Sequence, residues 1–123
     1  MTTVIDASAV AAIIFAEPEG VALEARIAET RLSAPALIEF ELANVCVSKC
    51  RRAPAEREAF VASLALGRRL GIDLHSVDAP AVTRLALETG LTAYDASYLW
   101  LARRLGAELV TLDKALARAA AAT

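Results

Sequence analysis

Short strand-like runs alternate with longer helix-like stretches along the whole chain, and this rhythm leaves few folds open. The strand-like runs are residues 3–6, 31–34, 72–75 and 108–112. The last of them, Glu108-Leu-Val-Thr-Leu112, has β-branched residues at its centre. Helical patterns are expected over residues 9–15 and 19–28 after the first run, over 36–50 and 56–70 after the second, and over 78–89 and 92–105 after the third. An alanine-rich helix is expected over residues 114–122. Strands joined through helices run parallel, since an antiparallel pair needs only a tight turn. The expected fold class is therefore α/β: a central parallel sheet of four short strands with helices on both faces.

Local chemistry sets the boundaries. Ser8 can cap the first helix, and Glu17-Pro18 interrupts it. Pro35 suits the first turn of the helix over 36–50, and Ala53-Pro54 breaks the pattern after it. Phe60, Leu64 and Leu66 supply the larger apolar side chains of the helix over 56–70. Gly71, Gly90 and Gly106 stop the helices that precede them.

A chain of 123 residues suits one domain spanning 1–123. At 57% hydrophobic and 23% charged residues, a packed core is feasible and disorder is not expected. Much of that apolar share is alanine, which favours helix but fills little volume. No apolar run approaches the roughly 20 residues that span a bilayer, and the start lacks a basic leader-like segment. A cytoplasmic protein with no membrane partner is expected.

The formal net charge of −2 argues against a strongly basic nucleic-acid binder, but a local basic patch remains compatible with it. Lys49, Arg51, Arg52, Arg68, Arg69, Arg103 and Arg104 read either as phosphate contacts or as ordinary solvated helix faces. Cys46 and Cys50 share one helix face. With His75 the single histidine, they fall short of a four-ligand zinc site, and helix spacing suits a disulfide poorly.

The chemistry is carried by Asp6, Glu41, Asp95 and Asp113, each set beside apolar residues. Asp6 and Asp113 stand at the carboxyl ends of expected strands, where parallel sheets bind ligands. Each has a structural reading as well. Asp6 and Asp113 can cap the helices that follow, and Thr92-Ala-Tyr-Asp95 resembles a capping box. Glu41 lies inside its helix, and Glu39 points about 200° away from it, so spacing alone does not choose between them. If the four carboxylates meet, like charges destabilise the site unless a cation joins them. An all-oxygen acidic site suits Mg²⁺ or Mn²⁺ and metal-assisted phosphodiester chemistry.

Four segments together resemble the PIN-domain family, and within it the VapC toxins of bacterial toxin–antitoxin pairs. They are Val4-Ile-Asp-Ala-Ser8; Pro35-Ala-Leu-Ile-Glu-Phe-Glu-Leu-Ala-Asn44-Val45; Thr92-Ala-Tyr-Asp-Ala-Ser-Tyr-Leu-Trp-Leu-Ala102; and Leu109-Val-Thr-Leu-Asp-Lys114. Their order and spacing span nearly the whole chain. The resemblance implies an α/β/α sandwich and a Mg²⁺- or Mn²⁺-dependent ribonuclease toxin, acting on tRNA or another structured RNA. It matches Asp6, Glu41, Asp95 and Asp113 to the family's acids, which favours Glu41 over Glu39. Asp6 and Asp95 become the foremost metal ligands, with Ser8 and Thr111 as supporting polar residues.

The resemblance also implies a cognate VapB-like antitoxin and a homodimer. The apolar helix carrying Val10, Ile13, Ile14 and Phe15 is a candidate groove for the antitoxin. Similar chains add a final short strand after the last helix, so a fifth strand is the expected variation on four. A catalytically silent PIN-like module that binds protein or RNA is the alternative.

Overall fold

A computed structural model describes residues 1–122. The strands are β1 (Thr2–Ile5), β2 (Arg31–Pro35), β3 (Asp73–His75) and β4 (Glu108–Val110). The α-helices are α1 (Ala7–Ile14), α2 (Gly20–Ile27), α3 (Ile38–Arg52), α4 (Arg57–Leu66), α5 (Ala79–Thr89), α6 (Ala93–Leu105) and α7 (Lys114–Ala121). All described strand pairs are parallel, in the order β3-β2-β1-β4.

That order follows from connection geometry. The chain steps outward from β1 through α1 and α2 to β2, then through α3 and α4 to β3. It then returns through α5 and α6 to place β4 on the far side of β1. Parallel crossovers are right-handed, so reversing the direction of travel moves the connecting helices to the opposite face. The helices α1, α3 and α4 pack against one another, while α6 lies against β1, β2 and β4 and carries α5 and α7 beside it. The result is the expected α/β/α sandwich, with four strands among the described residues.

The central strand β1 is covered on both faces: Val4 and Ile5 are fully buried. They pack in one core with Val10 of α1, Ile38 of α3, Leu99 and Leu101 of α6, and Val110 of β4. Each such side chain stabilises the fold by about 1.5–3 kcal/mol through burial. The edge strand β3 is less covered, and Leu74 remains 44% exposed.

Several boundaries differ from the sequence reading. Of the two residues that could cap α1, Asp6 takes the role and Ser8 does not, because the Asp6 carboxylate accepts from the Ala9 amide at 3.0 Å. Pro35 ends β2 rather than opening a helix; it is buried and paired in register with His75. The helix expected over 56–70 divides into 3₁₀ turns at Pro54–Glu56 and Gly67–Leu70 around α4. Its apolar face is thin: Phe60 and Leu64 are partly buried, but Leu66 is exposed. The fourth strand ends at Val110, two residues early, because the backbone there turns towards α1. Gly90 and Gly106 do close α5 and α6, both in left-handed conformation.

Lys49 takes neither role expected of it, phosphate contact or solvated helix face. It instead pairs with Glu17 at 3.1 Å and lies over the Phe15 ring at 5.2 Å. Arg51, Arg52, Arg68, Arg69, Arg103 and Arg104 are exposed. Cys46 is buried and Cys50 half-buried, both as thiols. No helix among the described residues is long and apolar enough to cross a membrane.

Candidate active site

The reversal of strand order falls between β1 and β4, and a parallel sheet opens a crevice at such a point, beyond the carboxyl ends of its strands. Asp6 leaves β1 there, and Thr111 and Asp113 leave β4. Register explains how they meet. Ile5 pairs with Val110, so the residues one step on, Asp6 and Thr111, come level. The Asp6 amide still bonds the Val110 carbonyl at 3.2 Å.

Asp6 is buried, with 4% of its surface exposed. Its Oδ1 accepts from the Ser8 hydroxyl at 2.7 Å and from the Ala9 amide. Its Oδ2 accepts from the Thr111 hydroxyl at 2.5 Å. A carboxylate has about four lone-pair sites, so these bonds orient Asp6 without saturating it. Ser8 also accepts from the Leu112 amide at 3.0 Å, and Thr111 from the Asp113 amide at 2.9 Å. The two hydroxyls thus clip the segment after β4 onto the start of α1. Asp113 caps α7, accepting from the Leu116 amide at 2.8 Å, and is exposed. Capping and convergence are compatible here, because the cap fixes where each carboxylate stands.

The other two acids arrive from helices in opposite layers. Asp95 lies in the first turn of α6, and its amide donates to the Thr92 hydroxyl at 3.1 Å. Glu41 lies in α3 and is half-buried, whereas Glu39 is exposed. Glu41 Oε1 accepts from the Tyr98 hydroxyl at 2.5 Å.

The acids raise one another's proton affinity. Burial pushes the Asp6 carboxyl up; Thr111, Ser8 and the Ala9 amide hold it down in part, and Asp113 adds to the rise. Burial also pushes up Glu41, against the Tyr98 hydrogen bond, with Asp95 and Asp6 contributing. Asp95 is raised by burial, then by Asp113 and Asp6. Tyr98 is held firmly protonated by burial and by its bond to Glu41. Asp6 and Asp95 are thus the two acids that couple to both of the others. No Arg or Lys offsets the charge of Asp6, Glu41 or Asp95 among the described residues.

This donor set fits a hard divalent cation: the oxygens are carboxylate and hydroxyl, no thiol or imidazole takes part, and the charge is uncompensated. The side chains are gathered but not drawn into a closed cage. No group of three or more His, Cys, Asp or Glu residues among the described ones stands at mutual metal-binding distance. Two concavities lie away from the acidic edge. One is lined by Leu42, Leu64 and Ile72; the other, between α6, α7 and β4, reaches Thr111 at its margin.

Tyr98 is the residue of this edge that the sequence reading does not single out. Its signal was position: three residues after Asp95, it shares that acid's helix face, and it puts a polar tip into the run Ala96–Ala102.

The topology and this acid edge define a class, and comparison with known proteins agrees with it. The PIN domain family matches residues 3–122, and the chain belongs to that family. Ribonuclease VapC3 of Pyrobaculum aerophilum is 30% identical over 122 residues, which cover 95% of this chain and 93% of that protein. The crystal structure of PAE2754 from Pyrobaculum aerophilum superposes with a TM-score of 0.80 at 28% identity. The match covers 97% of this chain and 84% of that one. The resemblance to VapC-type PIN proteins expected from the four segments therefore holds along the chain.

Proposed function

We propose that this chain is a single-domain endoribonuclease of VapC type, dependent on Mg²⁺ or Mn²⁺, and the toxin of a type II toxin–antitoxin pair. The observation that carries the reading is the arrival of Asp6, Glu41, Asp95 and Asp113 at one sheet edge with no basic side chain to neutralise the first three. The relationship to a ribonuclease supports RNA as the substrate class; tRNA or another structured RNA as the target is part of the proposal.

Asp6 and Asp95 would hold the cation directly, and Glu41 and Asp113 would hold it directly or through water. Ser8 and Thr111 orient Asp6 by donating to its oxygens. A bound divalent cation supplies Lewis acidity at the scissile phosphate and lowers the pKa of a water molecule. No Ser–His or Cys–His nucleophile is required. The partners are a cognate VapB-like antitoxin and a second copy of the chain, and the setting is the cytoplasm. An antitoxin Arg or Lys entering the acidic edge would inhibit by charge pairing. At the end of α1, Ile13, Ile14 and the following Phe15 are only partly buried, which leaves apolar surface for such a partner.

The test is cleavage of RNA by purified protein with Mg²⁺, with EDTA, and with Asp6→Asn and Asp95→Asn. Loss of at least about 100-fold in both variants is expected, as for removal of groups that stabilise transition-state charge. Equal cleavage by wild type and both variants would sink the assignment. One observation favours a second reading, a catalytically silent PIN-like binding module: the carboxylates do not form a closed ligand cluster. Calorimetric titration with Mn²⁺ separates the two, because the silent module has no need to bind the ion.

A further inference from the structure

Glu41 and Asp95 reach the acidic edge from opposite layers of the sandwich, one on α3 and the other on α6. A backbone ladder cannot set the distance between them, since no sheet register joins the two helices. One side-chain bond does join them. Tyr98, 1% exposed and seated in the core of α6, donates its hydroxyl to Glu41 Oε1 at 2.5 Å. Because Tyr98 and Asp95 are three residues apart, they leave α6 on the same face. The helix that presents Asp95 therefore also grips Glu41.

Resting on the metal-dependent reading above, we propose that Tyr98 is a positioning residue, whose hydroxyl fixes Glu41 at its working distance from Asp95 and so builds the fourth side of the cation site. A glutamate has three side-chain torsions and is otherwise free to swing towards solvent. The ring of Tyr98 cannot follow it, because neighbouring apolar side chains enclose the ring. The bond uses one lone pair of Oε1 and leaves Oε2 for the cation or its water shell. Tyr98 itself does not touch the reacting atoms.

The experiment is a double-mutant cycle on Mn²⁺ affinity, read by the electron paramagnetic resonance signal of free Mn²⁺. It uses wild type, Tyr98→Phe, Glu41→Ala and the double variant. Phenylalanine keeps the buried ring, and circular dichroism in EDTA checks that the fold is retained. Tyr98→Phe is expected to weaken Mn²⁺ binding about ten-fold, the loss of one charge-assisted hydrogen bond. In the Glu41→Ala background the same change is expected to do nothing. With RNA, the kcat of Tyr98→Phe falls while KM holds. Unchanged Mn²⁺ affinity in Tyr98→Phe, or an equal loss in both backgrounds, overturns the positioning role while leaving the nuclease reading intact. Absence of Mn²⁺ binding by wild type overturns both.

Discussion

At the scale of single residues, Asp6 shows how a structural and a functional role share one side chain. Its Oδ1 caps α1, and its Oδ2 receives Thr111 from the segment just after β4, some hundred positions away in sequence. Thr111→Val keeps the shape and removes the donor. It leaves a buried carboxylate oxygen short of a partner, at a cost of about 2 kcal/mol, measurable by urea denaturation in EDTA. It also takes away a contact that holds the Asp6 carboxyl down, so the carboxyl titrates still higher, which carbon-detected NMR would follow. Capping by Asp6 and Asp113 was legible locally, because each precedes a helix. The Tyr98–Glu41 bond was not, because its ends are 57 residues apart and no local pattern links them.

At the scale of elements, the misread boundaries share a cause: tertiary packing overrode local preference. Pro35 suits a helix start, yet its ring is buried at the end of β2, where a missing amide costs little. The stretch 56–70 has helical periodicity but no fully buried residue in α4, so nothing holds one continuous helix together. The contact of α1 with α2 is the opposite case, a close approach that the local sequence does permit. A Cβ on Gly20 would lie 2.4 Å from the Ala12 carbonyl oxygen, which is backbone and cannot rotate away. Gly20→Ala is therefore expected to destabilise by about 2–3 kcal/mol, seen as a lower urea midpoint at unchanged slope. A change of less than about 0.5 kcal/mol would show that the two helices separate freely.

At the scale of the whole molecule, the fold gathers negative charge at one edge and tolerates it. Asp6, Glu41 and Asp95 all have folded-state pKa values above those of the unfolded chain. The folded protein then binds more protons than the unfolded one between the ordinary carboxylate range and the raised values. The stability these groups contribute is present in full below the ordinary range and is lost as pH rises through the raised values. In EDTA, Tm is expected to fall on their account as pH rises above the ordinary carboxylate range. Mg²⁺ is expected to raise Tm more at the higher pH, where the carboxylates are ionised and bind it. Differential scanning fluorimetry with and without Mg²⁺ reads both effects; a Mg²⁺ shift that shrinks with rising pH would contradict them.

What the sequence determined by itself was periodicity and chemistry. The alternation of strand and helix patterns implied a parallel sheet, since local propensity and capping are interactions between near neighbours. The four acids stood out by type and context, and the order of the segments matched a family. What the tertiary structure alone decided was proximity. Strand order placed β4 beside β1 and not beside β3, which levelled Thr111 with Asp6. Packing turned Glu41 inward to Tyr98 and left Glu39 outside. Those outcomes depend on which distant surfaces bury each other best, a collective quantity that no short stretch of chain encodes.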